Sequence, residues 1–142
     1  MALVVADIGA ATMLKAFFNN VWPAGGKNLT LRLYTNDYTP VEGSTAGNFT
    51  EAAGGGYAAK TLTNGSWTQS QVGGIEQVAY AEQTFNFTGP LSGSATVYGY
   101  FVTDADGVIV FAERGAASFQ PAVDGDAIPI IPKFQASKGT PT

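Results

Sequence analysis

Apolar residues open the chain at helical spacing. Asp7 stands where a helix would be capped, and Ile8, Ala11, Leu14 and Phe18 then recur along one face. Asn19 and Asn20 offer a stop, and Pro23 with Gly25 and Gly26 breaks the chain beyond it. So short a helix is not stable alone, so its apolar stripe is expected to cover a sheet or a neighbouring subunit. From Leu29 the period falls to two. Leu29, Leu31 and Leu33 share one face while Thr30, Arg32 and Tyr34 share the other, the pattern of a half-buried strand.

Residues 35–45 mix Asn, Asp, Pro, Gly and Ser as turn formers do. A second strand is expected over residues 57–62, after Gly54, Gly55 and Gly56, with Asn64-Gly65 as a turn leading to Trp67. The pattern at residues 75–80 is ambiguous, whereas Phe85 and Phe87 alternate cleanly within residues 83–88. The clearest hairpin joins residues 95–103 to 108–113 through Asp104-Ala105-Asp106-Gly107, a type I turn closed by a left-handed glycine. Both of its faces carry large apolar side chains, so one fills the core and the other needs a helix, a loop or a partner chain over it. A last strand is expected over residues 127–134, at a sheet edge because Pro129 and Pro132 cannot donate ladder hydrogen bonds. These elements predict a mainly β fold: a single-domain antiparallel β-sandwich of about seven or eight strands with one short N-terminal α-helix. Residues 1–28 form a helical arm, 29–135 the sandwich and 136–142 a frayed tail.

Composition sharpens the picture by what it omits. The chain of 142 residues contains no histidine and no cysteine. That excludes a thiol nucleophile, a Ser-His-Asp triad and a histidine or thiolate zinc site, and it removes disulfides. Charged residues make up only 13% of the sequence, about half of the usual ~25%. A surface of Thr, Ser, Asn, Gln and Gly desolvates cheaply against other subunits, which favours self-association. The net charge of −4 and seven scattered cations give no stripe for phosphates, so no nucleic-acid partner is expected. No apolar run approaches the ~20 residues of a spanning helix, so no membrane partner is expected either. The short apolar run at residues 1–6 lacks the charge and length of a secretion signal, and the protein is expected to fold where it is made. The sequons at Asn28, Asn48, Asn64 and Asn86 are accordingly read as chance.

Candidate chemistry is sparse. Asp104, Asp106 and Gly107 resemble the opening of a calcium loop, but the glycine arrives too early, and a hairpin turn is the better reading. The same holds for Asp124, Gly125 and Asp126, although two acidic turns could converge on one ion. Any two of the eleven carboxylates could supply a glycosidase pair, yet Glu51, Glu76, Glu82 and Glu113 sit in polar or edge-like settings, where a solvated side chain is the usual outcome. Gly54-Gly55-Gly56 is followed by no Lys-Ser/Thr and is read as loop freedom. Trp67, Tyr57, Tyr98 and Tyr100 could stack on sugar rings, although core packing is the commoner fate of such residues. No catalytic residue, cofactor or metal site is assigned.

One likeness adds to this reading. The stretch from Leu31 to Pro40 (LRLYTNDYTP) is followed by Phe49-Thr50-Glu51, Gly56-Tyr57-Ala58 and Trp67. Val97-Tyr98-Gly99-Tyr100, Ala112-Glu113-Arg114 and Asp124-Gly125-Asp126 then come in order. Together these resemble a group of small tailed-bacteriophage structural proteins, over residues 29–134. The resemblance implies a virion component: a decoration (cement) protein on the capsid, or a tail- or fibre-associated protein. The implied partners are the major capsid protein, other virion proteins and further copies of the chain, assembled in the host cytoplasm. The expected partner surface comprises Leu14, Phe17 and Phe18 on the helix and Tyr98, Tyr100 and Phe111 on the hairpin. The rival expectation is a glycan-binding adhesin module on a fibre or tail.

Overall fold

The computed structural model describes residues 3–136. In chain order they form β1 (Leu3–Val5), α1 (Asp7–Asn19), β2 (Leu29–Tyr34), β3 (Lys60–Leu62), β4 (Thr68–Val72), β5 (Ile75–Ala79), β6 (Gln83–Thr88), β7 (Val97–Thr103), β8 (Ile109–Phe119), β9 (Asp124–Ile130) and β10 (Lys133–Ala136). The fold is mainly β, antiparallel and sandwich-like, with its helix at the N-terminal end. A five-stranded sheet in the order β1-β8-β7-β2-β3 forms one layer. Against it lie the three-stranded sheet β10-β5-β4 and the ribbon β6-β9.

The alternation in β2 sets the main core. Leu31 and Leu33 are buried opposite Val102 and Tyr100 of β7, and they pack with Leu62, Phe85, Phe87 and Phe111. The other face of the same sheet is also dry. Tyr34, Phe101, Ile109 and Ala112 form a second cluster with Ala6 and Phe49. The cover over that face is a loop: Phe49 stacks on Phe101 at 4.8 Å and meets Tyr34 and Tyr38 edge-on at 5.0 and 5.2 Å. Alternate side chains of the β7–β8 hairpin serve the two clusters, and two register shifts interrupt the alternation. One falls between Val97 and Gly99, so Val97 and Tyr100, three residues apart, both face the main core while Tyr98 and Phe101 pack with the second cluster. The other inserts Val110 between Ile109 and Phe111.

The expected hairpin turn is present in detail. The Gly107 N–H donates to the Asp104 carbonyl at 3.1 Å, and Gly107 has φ 82°. Asp104 Oδ1 accepts the N–H groups of Asp106 and Val108, each at 2.9 Å, so this carboxylate closes the turn.

Four expectations change. The N-terminal segment is not a separate arm, because β1 pairs with β8 (Leu3 opposite Glu113) and forms an edge of the large sheet. Asp7 is the first helical residue and Ala6 precedes it as an N-cap without a side-chain bond. The single strand expected over residues 127–134 is two: the chain passes from β9 to β10 at Pro132, whose carbonyl accepts the Tyr80 N–H at 2.8 Å. The strand expected over residues 57–62 is only β3 (Lys60–Leu62), and β4 (Thr68–Val72) forms where the sequence pattern assigns no element. Of the expected tail, Ala136 ends β10 and residues 137–142 lie outside the described residues.

Candidate functional site: an uncovered helix face

Helix α1 touches the sheet along one narrow line. Gly9 is its buried residue, and a Cβ there would meet the Val110 carbonyl oxygen and lie 2.5 Å from Val110 Cα. Only a glycine lets the helix axis come this close to β8. Met13 and Ala16 continue the inward line, at helical spacing from Gly9, and are half-buried. The helix ends at Asn20, which adopts the left-handed conformation (φ 54°) that releases the chain into the next loop.

The outward side is apolar and uncovered. Ile8, Leu14, Phe17, Phe18, Val21 and Trp22 are all exposed, Phe17 at 82% and Phe18 at 73%. Single exposed apolar residues are ordinary, but six along one helix and its following loop form a contiguous patch of the kind that marks an interaction surface. Phe17 and Phe18 meet edge-to-face at 5.0 Å. Trp22 Nε1 donates to Asn20 Oδ1 at 3.1 Å, and Lys27 Nζ lies 4.4 Å from the centre of its ring. The loop end is tied to the β7–β8 turn: Asp106 accepts the N–H groups of Ala24 and Gly25, both at 2.8 Å. Under the helix a cavity of about 370 Å³ opens between Met13 and Ala16 above and Trp67, Val78 and Phe134 below, with Trp22 at its rim.

The structure divides the six expected interface residues. Leu14, Phe17 and Phe18 stand together on the uncovered face. Tyr100 (7% exposed) and Phe111 (1%) belong to the main core of this chain, and cannot offer a surface to a partner. Their burial follows from the sandwich itself, whose opposing strands cover them. Tyr98 is half-buried beneath Arg114, whose guanidinium lies 5.2 Å from the ring centre. Val21 and Trp22 join the patch without having been singled out, although two bulky apolar residues just beyond a helix stop are a readable signal.

Several polar groups are tied into the fold by hydrogen bonds. Glu51 accepts from Arg32 at 2.8 Å and from the Tyr57 hydroxyl at 2.9 Å, while Tyr100 donates to Glu113 at 2.8 Å. Burial pushes both phenols well above their ordinary range. The Leu33 N–H opposes that for Tyr57, and Glu51 and Glu113 each reinforce it for their partner tyrosine. Asp126 accepts the N–H groups of Ala122 and Val123, which hold its carboxyl below the usual value. Glu76 accepts from Gln69 and Gln71 across the β4–β5 hairpin. Among the described residues no three carboxylates gather closely enough to hold a metal ion. No helix among them is long and apolar enough to cross a membrane.

No protein-family model matches the chain, and no curated protein matches it.

Proposed function

We propose that this chain is a bacteriophage virion structural protein, a capsid decoration protein that stabilises the shell through subunit interfaces. The observation that carries the reading is the uncovered apolar face of α1 and its following loop, on a chain otherwise poor in charge. The likeness over residues 29–134 to small phage structural proteins supports it. Its partners are the major capsid protein and further copies of itself, its place is the virion, and its work is burial rather than catalysis.

Magnitudes show why repetition matters. Burying one exposed Phe side chain gains about 1.5–3 kcal/mol. Association costs roughly 4–15 kcal/mol in lost freedom, so two phenylalanines cannot hold a copy in place. The whole patch must be covered, and each copy must engage more than one neighbour, so that later contacts form at high effective concentration. The glycan-binding alternative lacks this support. Tyr57 stacks on Phe85 at 5.7 Å and Trp67 packs edge-on against Tyr80 at 5.2 Å, while Tyr100 is buried.

The test mixes purified protein with shells of the cognate major capsid protein and determines occupancy by cryo-electron microscopy. Regular density at symmetry-related sites is expected. The double substitution Phe17→Ser and Phe18→Ser should strip the protein from shells while changing its unfolding free energy by less than about 0.5 kcal/mol, because both side chains already face solvent. Bare shells with the wild-type protein left in solution would refute the reading.

A further inference from the structure

We infer that the outward face of α1 pairs with the same face of a second copy, antiparallel about a two-fold axis at Ala11. This deepens the assembly reading above by naming the occupant of its apolar face. The exposed residues of the helix are not arranged at random. Asp7, Ile8, Ala11, Leu14, Lys15 and Phe18 all point away from the sheet, while Gly9, Met13 and Ala16 point toward it. Asp7 and Lys15 are the only charged residues in α1, and they lie equally far on either side of Ala11. A two-fold axis there sets Asp7 against Lys15 of the other copy, twice, and Ile8 against Leu14, twice. Ala11 meets itself at the crossing, where a small side chain lets two helices approach closely. An isologous contact of this kind is closed, so it stops at two.

Charge at the ends of the helix selects the same orientation. The N-terminal end is acidic: the Asp7 N–H donates to the Glu42 carbonyl at 2.8 Å, which places exposed Glu42 beside exposed Asp7. Positive charge lies toward the other end, with Lys15 in the C-terminal half of the helix and Lys27 over Trp22 in the loop that follows. Antiparallel pairing brings the acidic end toward these cations and opposes the two helix dipoles. Parallel pairing would set Asp7 against Asp7 and Lys15 against Lys15. Phe18 of each copy then extends past the partner helix toward its N-terminal end, where Val41 is exposed.

The experiment reads the oligomeric state in solution, without capsid protein, by sedimentation velocity. Wild-type protein is expected to sediment as a dimer. Asp7→Lys and Lys15→Asp each place like charges across the axis and should weaken the dimer about tenfold. The double variant Asp7→Lys/Lys15→Asp restores opposite pairs and should recover most of the affinity, which a lost fold would not do. Because the chain has no cysteine, Ala11→Cys gives an independent readout: mild oxidation should yield a disulfide-linked dimer, with Lys15→Cys as the off-axis control that does not cross-link. A wild-type protein that stays monomeric at its highest soluble concentration overturns the pairing. So does a double variant that folds but fails to recover. A monomer that still decorates shells would assign this face to the capsid protein, leaving the decoration reading standing and the pairing refuted.

Discussion

Gly9 decides how closely the helix sits on the sheet, and two opposed effects meet there. Alanine is the better helix former by about 0.8–1 kcal/mol. Its Cβ, however, would run into the Val110 backbone, which cannot swing aside as a side-chain tip can. Overpacking of this kind costs about 1–3 kcal/mol, so the clash wins. Gly9→Ala is expected to lower the denaturation midpoint, measured by urea unfolding followed by far-ultraviolet circular dichroism. An unchanged or raised midpoint would show that α1 can lift off β8 without loss. Gly99 is a second such place: a Cβ there would meet the Glu113 carbonyl oxygen and lie 2.7 Å from the Tyr34 hydroxyl. The need for both glycines was invisible in the sequence, because close approach is a property of two elements rather than one.

At the scale of elements, the strands that stood out were those whose own side chains alternate. Strand β2 and the β7–β8 hairpin follow their pattern because each buries what it displays. Strand β1 was missed since its three residues carry no period, and its order comes from the ladder that β8 offers. Strand β4 was missed for a different reason. Its sequence TQSQV is exposed throughout, and it is held by β5 across Gly73 and Gly74, both in the left-handed region. That glycine pair was the one available cue. The interface residues were half legible. The helix stripe was readable, but Tyr100 and Phe111 were misplaced because the sequence does not say which strands will cover a two-faced hairpin. Nor did the segment just beyond the turn-rich residues 35–45 advertise its part in sealing the opposite face through Phe49. Phe49→Ala is expected to destabilise the protein by about 3–5 kcal/mol, since it removes the ring on which Tyr34, Tyr38 and Phe101 converge. Calorimetry would show the loss as a lower melting temperature. A change below about 1 kcal/mol would mean that the loop is dispensable as a cover.

The whole molecule should be sensitive to alkali. Of its six tyrosines, Tyr34, Tyr57 and Tyr100 are shifted upward chiefly by burial, Tyr34 to about 12 from an ordinary 10.0. Above pH 10 the unfolded chain releases these protons while the folded chain keeps them, so the unfolded state binds fewer protons and stability falls as pH rises. Stability contributed by the neutral phenols is thus intact below pH 10 and declines through the interval up to about 12 for Tyr34, with Tyr57 and Tyr100 extending the decline further. Ultraviolet absorbance of tyrosinate is expected to show a class of tyrosines that ionises only as the fold is lost. Titration of all six together near 10 in the folded protein would contradict this.

The pairing of β1 with β8 also bears on the order in which the protein is made. Leu3 finds its partner at Glu113, so β1 waits on the ribosome until β8 has emerged. The seat of α1 on Val110 comes equally late. Until then the nascent chain carries a helix with neither of its faces covered: the inner one lacks a sheet and the outer one lacks a neighbour. A chaperone that shields short apolar segments would therefore find its target in α1 as soon as that helix is made, and release would coincide with synthesis of β8.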